Sequence, residues 1–365
     1  MNVLRFTMDS TEETNMKKKV FLCVSFNFLL SALVFAQNLQ YPSLWKVYIR
    51  TIVGYKNNEQ MFHYSYMLTN DAANTGSIDG FGIDISRKPT TIDVDTVGLR
   101  FENDGFTEGS FRRHFSLLRG RIVPVGFLRA PGGTWTGGLT NDFTASFDGT
   151  RSFAIKPGRS LNGFEIMSRG LPGIRRCIVS PFFDVDSLFP DLDDANRTLS
   201  IAQMDSIREA VNFYGWTVGP TAPPANFDAS AWIDTLLSYT RQSVELGWIG
   251  KGRDNDCNDD ERPDNGIIKN IELRLLKAKR ELTTGDSVQA RNELEKLVQK
   301  VERIWKRSQK DEQGEGRERW QKRESVIMTS EAYALLKYNT EYLIERLPDK
   351  PKHVRGGDKD KKPKK

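Results

Sequence analysis

The densest group of oxygen ligands in the sequence lies in residues 251–266, where Asp254, Asp256, Asn258 and Asp260 alternate. Their side chains could converge on a hard cation, and calcium, which takes about six to eight oxygen ligands, is the ion such a loop suits. An EF-hand loop places Gly at its sixth position and Glu at its twelfth. Counted from Asp254, those places hold Asp259 and Asn265, and Pro263 interrupts the run. The competing reading is a solvated acidic loop. Of three cysteines, Cys23 lies in an apolar N-terminal segment, which leaves Cys177 and Cys257. In an oxidising compartment an even pair suggests one disulfide. It would close a loop of about 80 residues and contribute on the order of 4 kcal/mol in the chain-entropy model. Two separate buried thiols are the competing reading. His63, His114 and His353 are too scattered for metal-type spacing. Asp84 with Asp93 or Asp95 could serve a glycosidase, although carboxylates near strand ends more often make turns. Gly132-Gly133 and Gly137-Gly138 lack the lysine and the following helix of a phosphate loop and read as turns.

The compartment that would oxidise such a pair is set by the N-terminus. Lys17, Lys18 and Lys19 precede an apolar run ending Ser31-Ala32-Leu33-Val34-Phe35-Ala36. This is the pattern of a signal peptide over residues 1–36 with cleavage before Gln37. A membrane anchor would need a longer run without Ser25, Asn27 and Ser31, and a second basic flank. Residues 1–15 are polar and acidic, which is atypical and shifts the expected start toward Met16. The mature chain is then expected outside the cytoplasm, in the periplasm, on the surface or secreted, with no transmembrane segment.

A chain of 365 residues, 38% hydrophobic and 10% aromatic, can build two cores. Its formal charge is +5, yet residues 350–365 carry eight Lys or Arg against Asp358 and Asp360. The body is therefore near neutral. The tail reads as a disordered Lys-rich end rather than a nucleic-acid arm, so no nucleic acid is expected as a partner.

Residues 40–190 carry the pattern of an antiparallel β-sandwich. Phe62, Tyr64, Tyr66 and Leu68 alternate with His63, Ser65, Met67 and Thr69, and short apolar runs such as Phe81-Gly82-Ile83-Asp84-Ile85 lie between Asn-, Asp- and Gly-rich turns. Trp45, Tyr64, Tyr66 and Trp135 are possible stacking platforms for sugars, but alternating aromatics are more often core. Residues 198–227 read as a short connecting helix, with Ile201, Met204, Ile207, Ala210 and Val211 in step. A stiff Pro-rich linker follows at Trp216-Thr217-Val218-Gly219-Pro220-Thr221-Ala222-Pro223-Pro224.

Residues 228–348 read as a small helical bundle. Asp228 is a suitable N-cap for a helix whose stripe is Trp232, Ile233, Leu236, Leu237 and Val244, and Gly247 stops it. Gly285-Asp286 separates a helix bearing Ile268, Ile271, Leu275, Ala278 and Leu282 from one bearing Ala290, Leu294, Leu297, Val298, Val301, Ile304 and Trp305. Residues 308–319 read as an exposed polar linker. Thr329 or Ser330 then caps a last helix ended by Pro348. Trp232, Trp248 and Trp305 read as packing anchors.

Leu246-Gly247-Trp248-Ile249, Leu275, Ala278, Leu282, Gly285-Asp286, Ala290, Leu294, Val298, Val301 and Ala334-Leu335-Leu336 through Leu347 together resemble the FIMAH domain. That resemblance implies a helical module of no assigned activity, often C-terminal in exported bacterial proteins, and Thr217 to Pro224 is similar to the lead-in that precedes it. Ile155-x-Pro157-Gly158-x-Ser160-Leu161-x-Gly163-Phe164 and Ser168-x-x-Leu171-Pro172-Gly173 are similar to the closing strands of sandwich domains in secreted or surface-sorted bacterial proteins. Neither resemblance implies catalytic residues. The expectation is a multidomain all-β plus all-α chain acting as an exported, non-enzymatic binding protein. Its sandwich would recognise an extracellular glycan or protein, and its helices would act as a spacer or docking element. The rival is a secreted, glycosidase-like hydrolase with carboxylates on sandwich loops.

Overall fold

The computed structural model describes residues 42–86, 125–132, 135–139, 144–182, 206–207, 210–251, 265–312 and 326–348. Nine strands lie in its first part: β1 (Val47–Lys56), β2 (Met61–Asn70), β3 (Ile78–Asp84), β4 (Val125–Arg129), β5 (Trp135–Leu139), β6 (Thr144–Gly149), β7 (Ser160–Ser168), β8 (Leu171–Pro181) and β9 (Phe213–Thr221). They form two antiparallel sheets, of order β1-β2-β7-β4 and β5-β6-β3-β8-β9.

The alternation in β2 does what its chemistry predicts. Tyr64, Tyr66 and Leu68 are buried while Ser65 and Met67 between them are only partly covered. Rings from the two sheets interlock, since Phe164 of β7 meets Phe81 of β3 at 5.7 Å, Phe147 of β6 at 5.5 Å and Trp135 of β5 at 5.0 Å, all edge-on. Such tilted pairs add about 0.5–1.5 kcal/mol each beyond area burial. The buried phenols are satisfied: Tyr64 donates to Gly170 O at 2.7 Å and Tyr66 to Val218 O at 3.1 Å. Tyr64, Tyr66 and Trp135 are thus core residues, not sugar platforms, whereas Trp45 is exposed.

The stretch expected as a Pro-rich linker is corrected by β9. Phe213 to Thr221 pairs with β8 throughout, with Trp216 opposite Arg176 and Pro220 opposite Pro172. Proline is tolerated because β9 is an edge strand, where a missing N–H need not face a neighbour. Just before it, Ser206, Ile207, Ala210 and Val211 have the helical backbone expected of the connecting helix.

The second part comprises helices α1 (Ala229–Glu245), α2 (Asn265–Thr283), α3 (Ser287–Glu312) and α4 (Ser330–Arg346), with a two-stranded ribbon of β10 (Ile249–Lys251) and β11 (Val326–Met328). Asp228 caps α1 by accepting from Ser230 N at 2.7 Å and Ala231 N at 3.3 Å. Gly247 and Gly285 take positive φ at the breaks after α1 and α2. On α3, Glu293 is held between Arg274 at 3.1 Å, Lys277 at 2.9 Å and Lys296 at 2.9 Å. The lysine hydrogen bonds, Lys277 first, hold its carboxyl below the usual range. The expected linker at residues 308–319 begins later than its polarity suggests. Helix α3 runs to Glu312, and Ser308 is buried because its hydroxyl accepts from Met328 N at 2.9 Å.

Helix α4 joins the two parts. It packs on α1 and α3 and also on β1, β8 and β9. Asn339 Nδ2 donates to Pro172 O at 2.8 Å, Tyr338 donates to Val53 O at 3.2 Å, and the buried Glu331 carboxylate accepts from Thr51 N. Beneath it the edge strands meet, Thr51 and Thr217 sharing a hydroxyl hydrogen bond of 2.6 Å. Among the described residues, no helix is long and apolar enough to cross a membrane.

Candidate ligand cleft

Docking of α4 on the sheets leaves a cleft of about 420 Å³ at their junction. Helical spacing places Tyr338, Glu341, Tyr342 and Glu345 on one face of α4, and that face forms one wall. Tyr55 at the end of β1, Gln60 in the following loop and Phe62 at the start of β2 form the opposite wall. Arg169 and Leu171 enter from the β7–β8 turn, and Pro223 and Phe227 from the segment leading into α1. Gln60, in the tight loop that returns β1 into β2, is the one non-glycine residue with positive φ among the described residues, at 53°.

The walls are braced by ring contacts. Phe62 meets Tyr55 at 4.9 Å and Tyr338 edge-on at 5.2 Å, and Phe227 meets Tyr342 edge-on at 5.7 Å. Arg346 lies over the Tyr342 ring at 3.4 Å and donates to Tyr342 O at 3.2 Å. Burial raises the Glu341 carboxyl, opposed by the Lys337 ammonium 3.5 Å away. Burial likewise raises the Tyr338 and Tyr342 phenols. The result is an apolar, ring-lined slot with carboxylates and guanidinium groups among its lining, suited to a ligand with flat apolar faces and polar edges.

None of these residues stood out in the sequence as a site. The signal was present in α4 as an aromatic and acidic series at i, i+3, i+4 and i+7, beside the leucine stripe that fills the core. Of the residues that did stand out, Asp254, Asp256, Asn258, Asp260 and Cys257 lie outside the described residues. Among the described residues there is no group of three acidic, His or Cys side chains placed to hold a metal. Cys177 is a buried free thiol on the inner side of β8, pushed up to about 12 by burial. Asp84 makes a turn, accepting from Ser86 N at 2.7 Å, while Asp93 and Asp95 lie outside the described residues. His63 pairs across strands with Glu165 at 3.1 Å, and Arg129 reaches the same carboxylate at 3.8 Å. Trp232 donates to Asn339 O at 3.0 Å and Trp305 stacks on Tyr333 at 5.3 Å, so both are packing residues. No family model matches this chain, and no curated protein matches it at a significant level.

Proposed function

We propose that this chain is an exported, non-enzymatic binding protein whose two sheets make a β-sandwich and whose helices form a FIMAH-like module. Its ligand, an extracellular glycan, lies in the cleft where the two meet. The observation that carries this reading is the ring-lined cleft itself: Tyr55, Phe62, Phe227, Tyr338 and Tyr342 offer apolar surface for sugar faces, with Gln60 and Glu345 available for hydroxyl groups. The helical module then does more than space the sandwich from a partner, since α4 supplies five of the twelve lining residues.

Tyr55 is exposed, so its removal tests binding with little effect on stability. On a glycan array, the full chain is expected to retain a defined set of oligosaccharides, and Tyr55→Ala to bind them at least about tenfold more weakly, the equivalent of about 1.4 kcal/mol. Its melting temperature should be unchanged. A blank array with folded protein overturns the glycan reading. Turnover on a glycosidase panel that Glu341→Gln abolishes would replace it with the hydrolase.

A further inference from the structure

Arg169 occupies the two-residue turn between β7 and β8, and the turn is held firmly. Gly170 N donates to Ser168 Oγ at 2.9 Å, Gly170 O accepts from the buried Tyr64 hydroxyl at 2.7 Å, and Leu171 is paired with Thr221 directly afterwards. The Arg169 Nε is buried without a hydrogen-bond partner, and no ion pair among the described residues includes Arg169. The buried Nε is closed to a guest, so it is the outer N–H groups of this unpaired guanidinium, in the lining of the cleft, that a guest can meet.

The second guanidinium of the cleft, Arg346, is also outside any ion pair among the described residues and is held by the Tyr342 ring and carbonyl. Of the two carboxylates in the lining, Glu341 is engaged by Lys337, and Glu345 is exposed at the rim. Arg169, Arg346 and Glu345 are therefore the charges of the cleft that no ion pair among the described residues engages, and the two guanidinium groups are the ones that can receive an anion. A guanidinium fork matches a carboxylate with two parallel N–H···O bonds, a fit that a hydroxyl group cannot reproduce.

We infer that the cleft takes an acidic oligosaccharide, one carrying uronic-acid units, whose carboxylate is received by Arg169 while its ring faces lie on the tyrosines. This rests on the reading of the cleft as a glycan site. It adds a charge requirement that neutral sugars do not meet.

Calorimetric titration of the full chain with galacturonate and mannuronate oligomers, and with the same oligomers methyl-esterified, tests it. The free acids are expected to bind at least about tenfold more tightly than the esters, in line with a charge-assisted hydrogen bond. Arg169→Gln should erase that difference, and Arg169→Lys should keep part of it as a point charge. Equal affinity for acid and ester overturns the carboxylate assignment and leaves the glycan reading standing. Binding of neither form overturns the acidic-oligosaccharide assignment and leaves the glycan reading to the array, whereas preference for a peptide through its free C-terminal carboxylate overturns both. The acid-to-ester comparison on the unaltered chain decides the matter even if an Arg169 variant fails to fold.

Discussion

Glu331 is a carboxylate placed where burial and hydrogen bonding act in opposite directions. It lies in the first turn of α4, buried against β1, and accepts from Thr51 N and from Ser330 Oγ at 3.3 Å. Burial dominates and raises its carboxyl above the usual carboxylate range, with the Thr51 hydrogen bond the larger of the opposing effects. The folded chain therefore takes up this proton at higher pH than the unfolded chain does. The stabilisation from Glu331 is fully present below the ordinary carboxylate range and is lost as pH rises through the raised value. Glu331→Gln keeps a carbonyl acceptor for Thr51 N without the titrating proton. Thermal melts from acidic to neutral pH should show the unaltered chain losing ground to the variant as pH rises. Parallel curves would show that Glu331 does not carry this pH dependence.

At the scale of elements, the seam between β1 and β9 rests on one buried polar pair, Thr51 with Thr217, both fully buried. Thr51→Val removes one hydroxyl and strands the other, so chemical denaturation should show a loss of about 1–3 kcal/mol. Replacing both with Val removes the orphan, and the double variant should be less destabilised than the sum of the singles, with coupling of about 1 kcal/mol. Additive losses would mean that the two hydroxyls do not act as a pair. The partner elements differ in how far their sequences announce them. β2 is legible because its alternation is local, and α1 because Asp228 and Gly247 mark both ends. β9 is not, because Pro220 and Pro223 resemble a linker until it is known that the strand sits at an edge. β10 and β11 have three residues each, too few to show any period. The cleft is the least legible of all, since its lining runs from Tyr55 to Arg346 and exists only once α4 has docked.

At the scale of the molecule, that docking makes the two parts depend on each other. The strands β1 and β9 are edges of their respective sheets, and an uncovered edge offers its free N–H and C=O groups to any other strand. Helix α4 packs against both, placing Glu331 on Thr51 N and Tyr338 on Val53 O of β1, while Asn339 reaches Pro172 O of β8, the strand beside β9. The helices thus cover surface the sheets cannot leave bare, and the sheets in turn help to bury Asn339 and partly cover Tyr338. A chain ending before Asp228 keeps all nine strands of the two sheets but uncovers Phe62, Leu171 and Thr51 together with both edges. Light scattering and size-exclusion chromatography should show that shortened chain self-associating or aggregating at concentrations where the full chain stays dispersed. A shortened chain that stayed monomeric, with an unchanged melting temperature, would show instead that the sheets are complete without α4, and the cleft would then be a gap between independent units.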